Sequence, residues 1–239
     1  MNKEELLRVS AASMGVELND TQVQQFIKYY EILVEWNSFM NLTGITEYEE
    51  VVQKHFVDSL ALCKAMDVHS VSSLIDIGTG AGFPGIPLKI AYPHLKVTLL
   101  DSLQKRIKFL NEVVMQLGLE EVETIHGRAE DFAKPSMKRE SYDVCVSRAV
   151  ANLASLSEYC LPYVNLGGYF VPYKSGKVEE ELETSKKAVF LLGGKIEEEV
   201  KFDLPDSDIS RSLIKIKKVS ATPKKYPRKS GMATKEPIM

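Results

Sequence analysis

Apolar positions recur along this chain in two periods, and the periods divide it into a helical start and an alternating remainder. Val23, Phe26, Ile27, Tyr30, Leu33 and Val34 fall at helical spacing behind Asn19 or Asp20, either of which can cap a helix, and make one apolar stripe. Thr46 and Glu49 form a capping box ahead of a second helix carrying Val52, Phe56, Leu60 and Cys63. Between them, Trp36 to Thr43 mixes polar and aromatic residues and predicts a helix-to-loop corner anchored by Trp36.

From residue 67 onward short apolar runs alternate with helical patterns. Leu74, Ile75 and Ile77 form a β-branched run; Lys96–Leu100, Val122–His126, Tyr142–Val146 and Gly167–Lys174 are further strands. Helices are predicted from Ile86 to Tyr92, through Ile107, Leu110, Val114 and Leu117 with Ser102 as cap and Gly118 as stop, and from Val178 to Leu192 with Gly193-Gly194 ending it. Lys195–Leu204 and Ser212–Val219 alternate like an antiparallel pair. The expected fold is α/β: a doubly wound, mostly parallel Rossmann-like sheet with an antiparallel edge strand and an N-terminal helical extension. Three parts are expected, a helical extension over 1–66, the main domain over 67–220 and a tail over 221–239.

The stretch from Ser73 to Pro87, a buried strand running into Gly78, Gly80 and Gly82, organises the rest. Glycines there let the backbone turn sharply and approach a ligand that a Cβ would push away. A dinucleotide fingerprint needs a third glycine where this chain has Phe83, which argues against a nicotinamide-dependent oxidoreductase. The order Asp76-x-Gly-x-Gly-x-Gly instead resembles motif I of class I S-adenosylmethionine-dependent methyltransferases. Asp101 ends the second strand 19 residues after Gly82, close to the spacing of about 20 expected for an acid that reaches ribose hydroxyls. Ala129 and Glu130, just past the third strand, are candidates to meet an adenine.

Composition narrows the setting. No apolar run approaches membrane-spanning length, so a cytoplasmic protein is expected. Cys63, Cys145 and Cys160 share no metal spacing and the four histidines are scattered, so neither a metal site nor a disulfide framework is expected. The net charge of −3 hides an asymmetry: Lys224, Lys225, Arg228, Lys229 and Lys235 face only Glu236 in the last 19 residues, a local +4 on a body of −7. Such a tail, with Tyr226 among its cations, suits phosphates and stacked bases, or is simply a solvated terminus.

The fourth strand leads into Ser147-Arg148-Ala149-Val150, where a catalytic signature belongs. It carries neither the Asn/Asp-Pro-Pro-aromatic motif used to methylate exocyclic amines nor the Pro-Cys used for covalent attack on pyrimidines, and Cys145 lies inside the strand as a core thiol. A guanine N7 needs neither device, because its lone pair is already nucleophilic and bears no proton. Arg148 is placed to bond or stack on a base, or to close the cofactor site. His55, Asp58 and Ser59 share one helical face, which cannot surround a carbonyl as a hydrolase triad must, and are read as a polar contact toward the glycine loop or the substrate.

Together these residues resemble the bacterial small-subunit (16S) ribosomal RNA guanine-N7 methyltransferase family, RsmG/GidB. The resemblance rests on Trp36-Asn37 with Asn41-Leu42-Thr43, on His55 with Asp58-Ser59-Leu60, on Asp76 to Pro87, on Arg128-Ala129-Glu130, on Ser147-Arg148-Ala149 and on the Lys-Tyr-Pro-Arg tail. It implies S-adenosylmethionine as cofactor, held at Gly78, Phe83, Asp101 with Ser102, Ala129, Glu130 and Arg148. It also implies 16S ribosomal RNA or a small-subunit particle as partner; His55, Lys174, Lys225 and Arg228 are the candidate RNA contacts, and a monomer is expected. Ser175 after Lys174, where a tighter Lys-Gly is the pattern, and Met232-Ala233 in a tail that usually holds proline depart from it on the RNA side. The alternatives are a non-catalytic ribosome-assembly protein with a degenerate pocket, or a methyltransferase acting on a protein or small molecule.

Overall fold

The structure, a computed structural model, describes residues 2–148, 151–176 and 178–239. Helices α1 (Lys3–Ser13) and α2 (Asp20–Met40) open the chain. Asn19, one of the two caps the sequence offers, caps α2, and does so through a capping box with Gln22. Phe26 and Leu33 of the expected stripe are fully buried, each stabilising by about 2 kcal/mol; so is Tyr29, which the stripe left out, whereas Ile27, Tyr30 and Val34 are half-buried.

The next helical run differs from expectation. It starts at Tyr48 with Glu47 as N-cap and no side-chain cap bond, so Thr46 and Glu49 form no capping box. The Thr46 carbonyl is instead taken by the Tyr30 hydroxyl at 3.0 Å. Between α3 (Tyr48–Val51) and α4 (Asp58–Leu60) the backbone is a π-helix over Val52–Val57, a wider turn of a kind that often marks functional positions. The short helix α5 (Leu62–Ala65) follows.

Among the described residues, seven strands then form one sheet. They are β1 (Ser73–Ile77), β2 (Lys96–Asp101), β3 (Val122–His126), β4 (Tyr142–Ser147), β5 (Val164–Ser175), β6 (Gly194–Asp203) and β7 (Ser210–Lys218). Their order is β3-β2-β1-β4-β5-β7-β6, with β1 to β5 parallel and β7 antiparallel to both β5 and β6. The antiparallel pair closes one edge with β6 outermost, while β1 lies between β2 and β4, where the winding reverses and ligands of such sheets bind.

Helices α6 (Gly85–Ala91), α7 (Gln104–Leu117), α8 (Ala129–Phe132), α9 (Leu153–Cys160), α10 (Glu179–Leu191) and α11 (Met232–Lys235) complete the chain. Gly118, at φ 60°, ends α7 as predicted, but Ser102 does not cap it. The Leu103 N–H goes to Asp101 Oδ1 at 2.9 Å, and the Ser102 carbonyl accepts from His126 Nε2 at 3.1 Å.

The N-terminal helices share one hydrophobic core with a face of the sheet: Phe26, Leu33, Phe56 and Leu60 pack in the same cluster as Leu74, Ile86, Leu99 and Leu110. Gln22 Nε2 donates to the Ile90 and Ala91 carbonyls, and Gln25 to that of Leu117, so α2 satisfies the open C-terminal ends of α6 and α7. Among the described residues, no helix is long and apolar enough to cross a membrane.

Candidate functional site

The glycine loop after β1 is held from below by two carboxylates. Asp76, fully buried, accepts from the Thr79 hydroxyl at 2.7 Å and the Gly85 N–H at 2.9 Å through one oxygen, while its Oδ1 has no partner among the described residues. Burial pushes its pKa up to about 6, against the pull of those two hydrogen bonds and of Arg148. Asp101 accepts from the Gly80 N–H at 2.9 Å, the Leu103 N–H at 2.9 Å and Arg106 at 3.1 Å, which ties the loop to the end of β2. From above, the Tyr29 hydroxyl of α2 bonds the Ala81 carbonyl. Gly78, Gly80 and Gly82 all have positive φ. A Cβ on Gly82 would lie 2.8 Å from Tyr29 Oη and 2.7 Å from Ile86 Cγ1, so glycine is required there.

A cavity of about 440 Å³ opens at the carboxyl ends of β1 to β4. Gly78, Ser102, Ala129 and Glu130, four of the residues expected to hold a cofactor, line it. Gly80, Gly82, Asp101 and Phe83 are not lining residues. The first three build the loop behind the wall. Phe83, 6% exposed, sits in an aromatic cluster with Tyr29 and Phe56.

Several further residues line it, of which only Ser147 is singled out in the sequence. Leu103, Ser147, Leu156 and Tyr159 come from the sheet edge and α9, and Ser230 and Gly231 come from the tail. The tail is folded onto the domain. Arg228 is paired with the buried Glu158 at 2.7 Å, the Ser155 hydroxyl bonds the Ala233 carbonyl at 2.7 Å, and the Gly231 N–H reaches Glu130 Oε1 at 2.9 Å. Lys225 stays exposed beside the Tyr226 ring.

Arg148, His55 and Lys174 gather around a second cavity of about 400 Å³, which also draws in Lys54, Asp58 and Arg211. Arg148 donates to Asp58 Oδ2 at 2.9 Å, and its guanidinium lies 5.1 Å over the Phe83 ring. His55 stacks on the same ring, 4.6 Å from Phe83 and 20° from coplanar, with Nδ1 3.4 Å from Arg148 and Nε2 2.8 Å from the Thr43 hydroxyl. Thr43 is fixed in turn by Asn37, whose side-chain oxygen accepts from the Leu42 and Thr43 N–H groups at 2.7 and 2.9 Å. Burial first, then the neighbouring Arg148 charge, pulls the His55 pKa down to about 4, so the imidazole is neutral near pH 7. Lys174 bonds Glu181 at 2.7 Å and the Ala151 carbonyl at 2.8 Å. Ser59, from the predicted polar trio, turns back to the His55 carbonyl at 2.5 Å.

The two cavities adjoin. Ser147 lines the first and Arg148 the second, and Ala151 lines the first while its carbonyl holds Lys174 of the second. Ala149 and Val150 lie outside the described residues. Among the described residues, no group of three or more His, Cys, Asp or Glu is placed to hold a metal ion. The first cavity suits a nucleoside with an amino-acid arm: glycine backbone on one side, apolar side chains of Ile77, Leu100 and Leu156 along it, and the Glu130 carboxylate as an acceptor.

Strand order, glycine loop and cavity together define a class I S-adenosylmethionine-dependent methyltransferase. Solved structures agree on the fold. TYW2 from M. jannaschii in complex with AdoMet superposes with a TM-score of 0.53 at 16% identity, over 68% of this chain and 77% of that one. A SAM dependent methyltransferase from Aquifex aeolicus gives 0.52 at 17%, over 70% and 92%. The family model GidB, rRNA small subunit methyltransferase G, matches residues 22–222. Ribosomal RNA small subunit methyltransferase G from Lachnoclostridium phytofermentans is 60% identical over 95% of this chain and 94% of its own length. The protein of that name from Clostridium novyi is 52% identical over 98% and 97%. The chain belongs to the GidB family.

Proposed function

We propose that this enzyme methylates N7 of a specific guanosine in 16S ribosomal RNA, acting as a monomer in the cytoplasm. When bound, S-adenosylmethionine supplies an electrophilic methyl on a sulfonium, and the guanine N7 lone pair accepts it without losing a proton. The observation that carries the reading is that a cation-lined cavity, with no group among the described residues free to act as a base, adjoins the cofactor cavity. Its lining carboxylate, Asp58, is engaged by Arg148 and Arg211, and a neutral His55 is fixed between Thr43 and Phe83. Such a site can align a nucleophile that needs no deprotonation and would serve an amine or hydroxyl acceptor poorly.

In this reading Gly78, Ser102, Ala129 and Glu130 hold the cofactor, with Asp101 shaping the loop behind them. Arg148 stands at the border of the two cavities and aligns the base. The test is borohydride and aniline treatment of 16S RNA from cells with and without the gene, which breaks the strand at 7-methylguanosine. A cleavage present only with the gene is expected; the same pattern in both strains would contradict the proposal.

A further inference from the structure

Because β7 runs against its neighbours, its first residues, not its last, lie at the ligand-binding edge of the sheet. Arg211 pairs there with Ser175 at the end of β5. Its Nε donates to Asp58 Oδ1 at 3.0 Å and one Nη to the Ser210 carbonyl at 3.3 Å. The charges around it do not balance. Lys54 is paired with Glu50 and Lys174 with Glu181, whereas Arg148 and Arg211 share the single carboxylate of Asp58. The wall therefore carries one cation in excess. Of the two arginines, Arg211 is the more open, with 24% of its side chain exposed against 18% for Arg148. A guanidinium fork with free N–H groups beside a nucleotide-sized space fits a singly charged, two-oxygen acceptor.

We propose that the second cavity seats one nucleotide of the RNA, with its phosphodiester held on the outward N–H groups of Arg211 and its base directed past Arg148 toward the cofactor cavity. The proposal rests on the reading above that RNA is the acceptor. Asp58 is then a positioning residue that sets the planes of both guanidiniums. Arg211 becomes an RNA-binding residue that an isolated cation in an alternating strand does not announce.

The test is the salt dependence of 16S RNA binding, measured with the full chain saturated with S-adenosylhomocysteine, which binds without transferring a methyl. Losing one phosphate contact lowers the slope of log K against log salt concentration by about 0.7–0.9. Arg211→Gln, whose amide still reaches Asp58, is expected to show that drop together with roughly tenfold weaker binding at low salt, while calorimetric affinity for the cofactor stays within about twofold of the parent. Arg211→Lys should keep the parent slope. Ser175→Glu places a carboxylate opposite Arg211 from an exposed position and should weaken RNA binding to a similar extent even if Arg211→Gln is too unstable to assay. An unchanged slope and affinity in these variants, or a parent protein without salt-dependent RNA binding, would overturn the assignment. Methyl transfer is not read in this experiment, so an enzyme that binds RNA but modifies another atom would count against the N7 reading alone.

Discussion

Glu130 accepts the backbone N–H of Gly231 at 2.9 Å, joining the wall of the cofactor cavity to a tail residue 101 positions away in sequence. Arg128 reinforces the contact by donating to the Ser230 hydroxyl at 2.5 Å. The tail is therefore part of the wall of that cavity. A chain ending at Lys229 keeps the Arg228–Glu158 pair but loses the strap over the cavity. Its affinity for S-adenosylmethionine, measured by calorimetry, is expected to fall about tenfold, the scale of one or two hydrogen bonds. Unchanged affinity would show that the strap has no part in binding.

Two tail cations that look alike in sequence should behave differently. Arg228 holds Glu158, which is 1% exposed, so Arg228→Ala leaves a buried carboxylate without its cation and should cost about 3–5 kcal/mol in urea unfolding. Lys225 is exposed, and Lys225→Ala should stay within about 0.5 kcal/mol. Equal effects would contradict the buried ion pair.

The glycine loop permits a similar comparison. Gly80 and Gly82 both have positive φ, at 63° and 96°. A Cβ on Gly80 meets nothing nearer than the Gly78 carbonyl at 4.0 Å, whereas on Gly82 it would meet three side chains between 2.7 and 3.1 Å. Gly80→Ala is expected to cost about 1 kcal/mol from backbone strain alone. Gly82→Ala adds overpacking of about 1–3 kcal/mol and should separate α2 from the loop. Thermal melts of the two variants check the order.

His55 and Asp76 make opposing contributions to stability in acid. Unfolded, His55 takes a proton near 6.5, but folded only near 4, so its stabilisation is complete above pH 6.5 and is lost as the pH falls toward 4. Asp76 runs the other way. Its folded pKa of about 6 lies above the usual 3.8, so its contribution is complete below pH 3.8 and is lost as the pH rises through 6. Each amounts to about 3 kcal/mol at most, and between pH 4 and 6 the slopes offset. Unfolding measured across pH 4–7 should show a steeper acid loss in Asp76→Asn and a shallower one in His55→Gln. Parallel curves would contradict both shifts.

Much of this site is legible in the sequence because strand and loop signals are local. The run into Gly78, Gly80 and Gly82 and the bounds of β2, β3 and β4 follow from periodicity and glycine placement, and they fix where Ser102, Ala129 and Glu130 emerge. What escapes is tertiary. The π turn over Val52–Val57 has no distinctive spacing, yet it helps place His55 and Asp58 on one cavity. The cap expected from Thr46 and Glu49 fails because that loop is held by Asn37 and Tyr30 instead. Glu158, which holds the tail through Arg228, lies on a helix that the sequence reading did not predict, and gains its role only when the fold brings them together. Arg211 gains meaning only once β7 is known to run antiparallel.

The most direct measurement incubates the purified protein with methyl-labelled S-adenosylmethionine and 16S RNA, then digests the RNA to nucleosides. The account predicts label in 7-methylguanosine alone, near one methyl per RNA, and its loss in Arg148→Ala while that variant remains folded. Label in any other nucleoside, or none in RNA while the cofactor is bound, would contradict it.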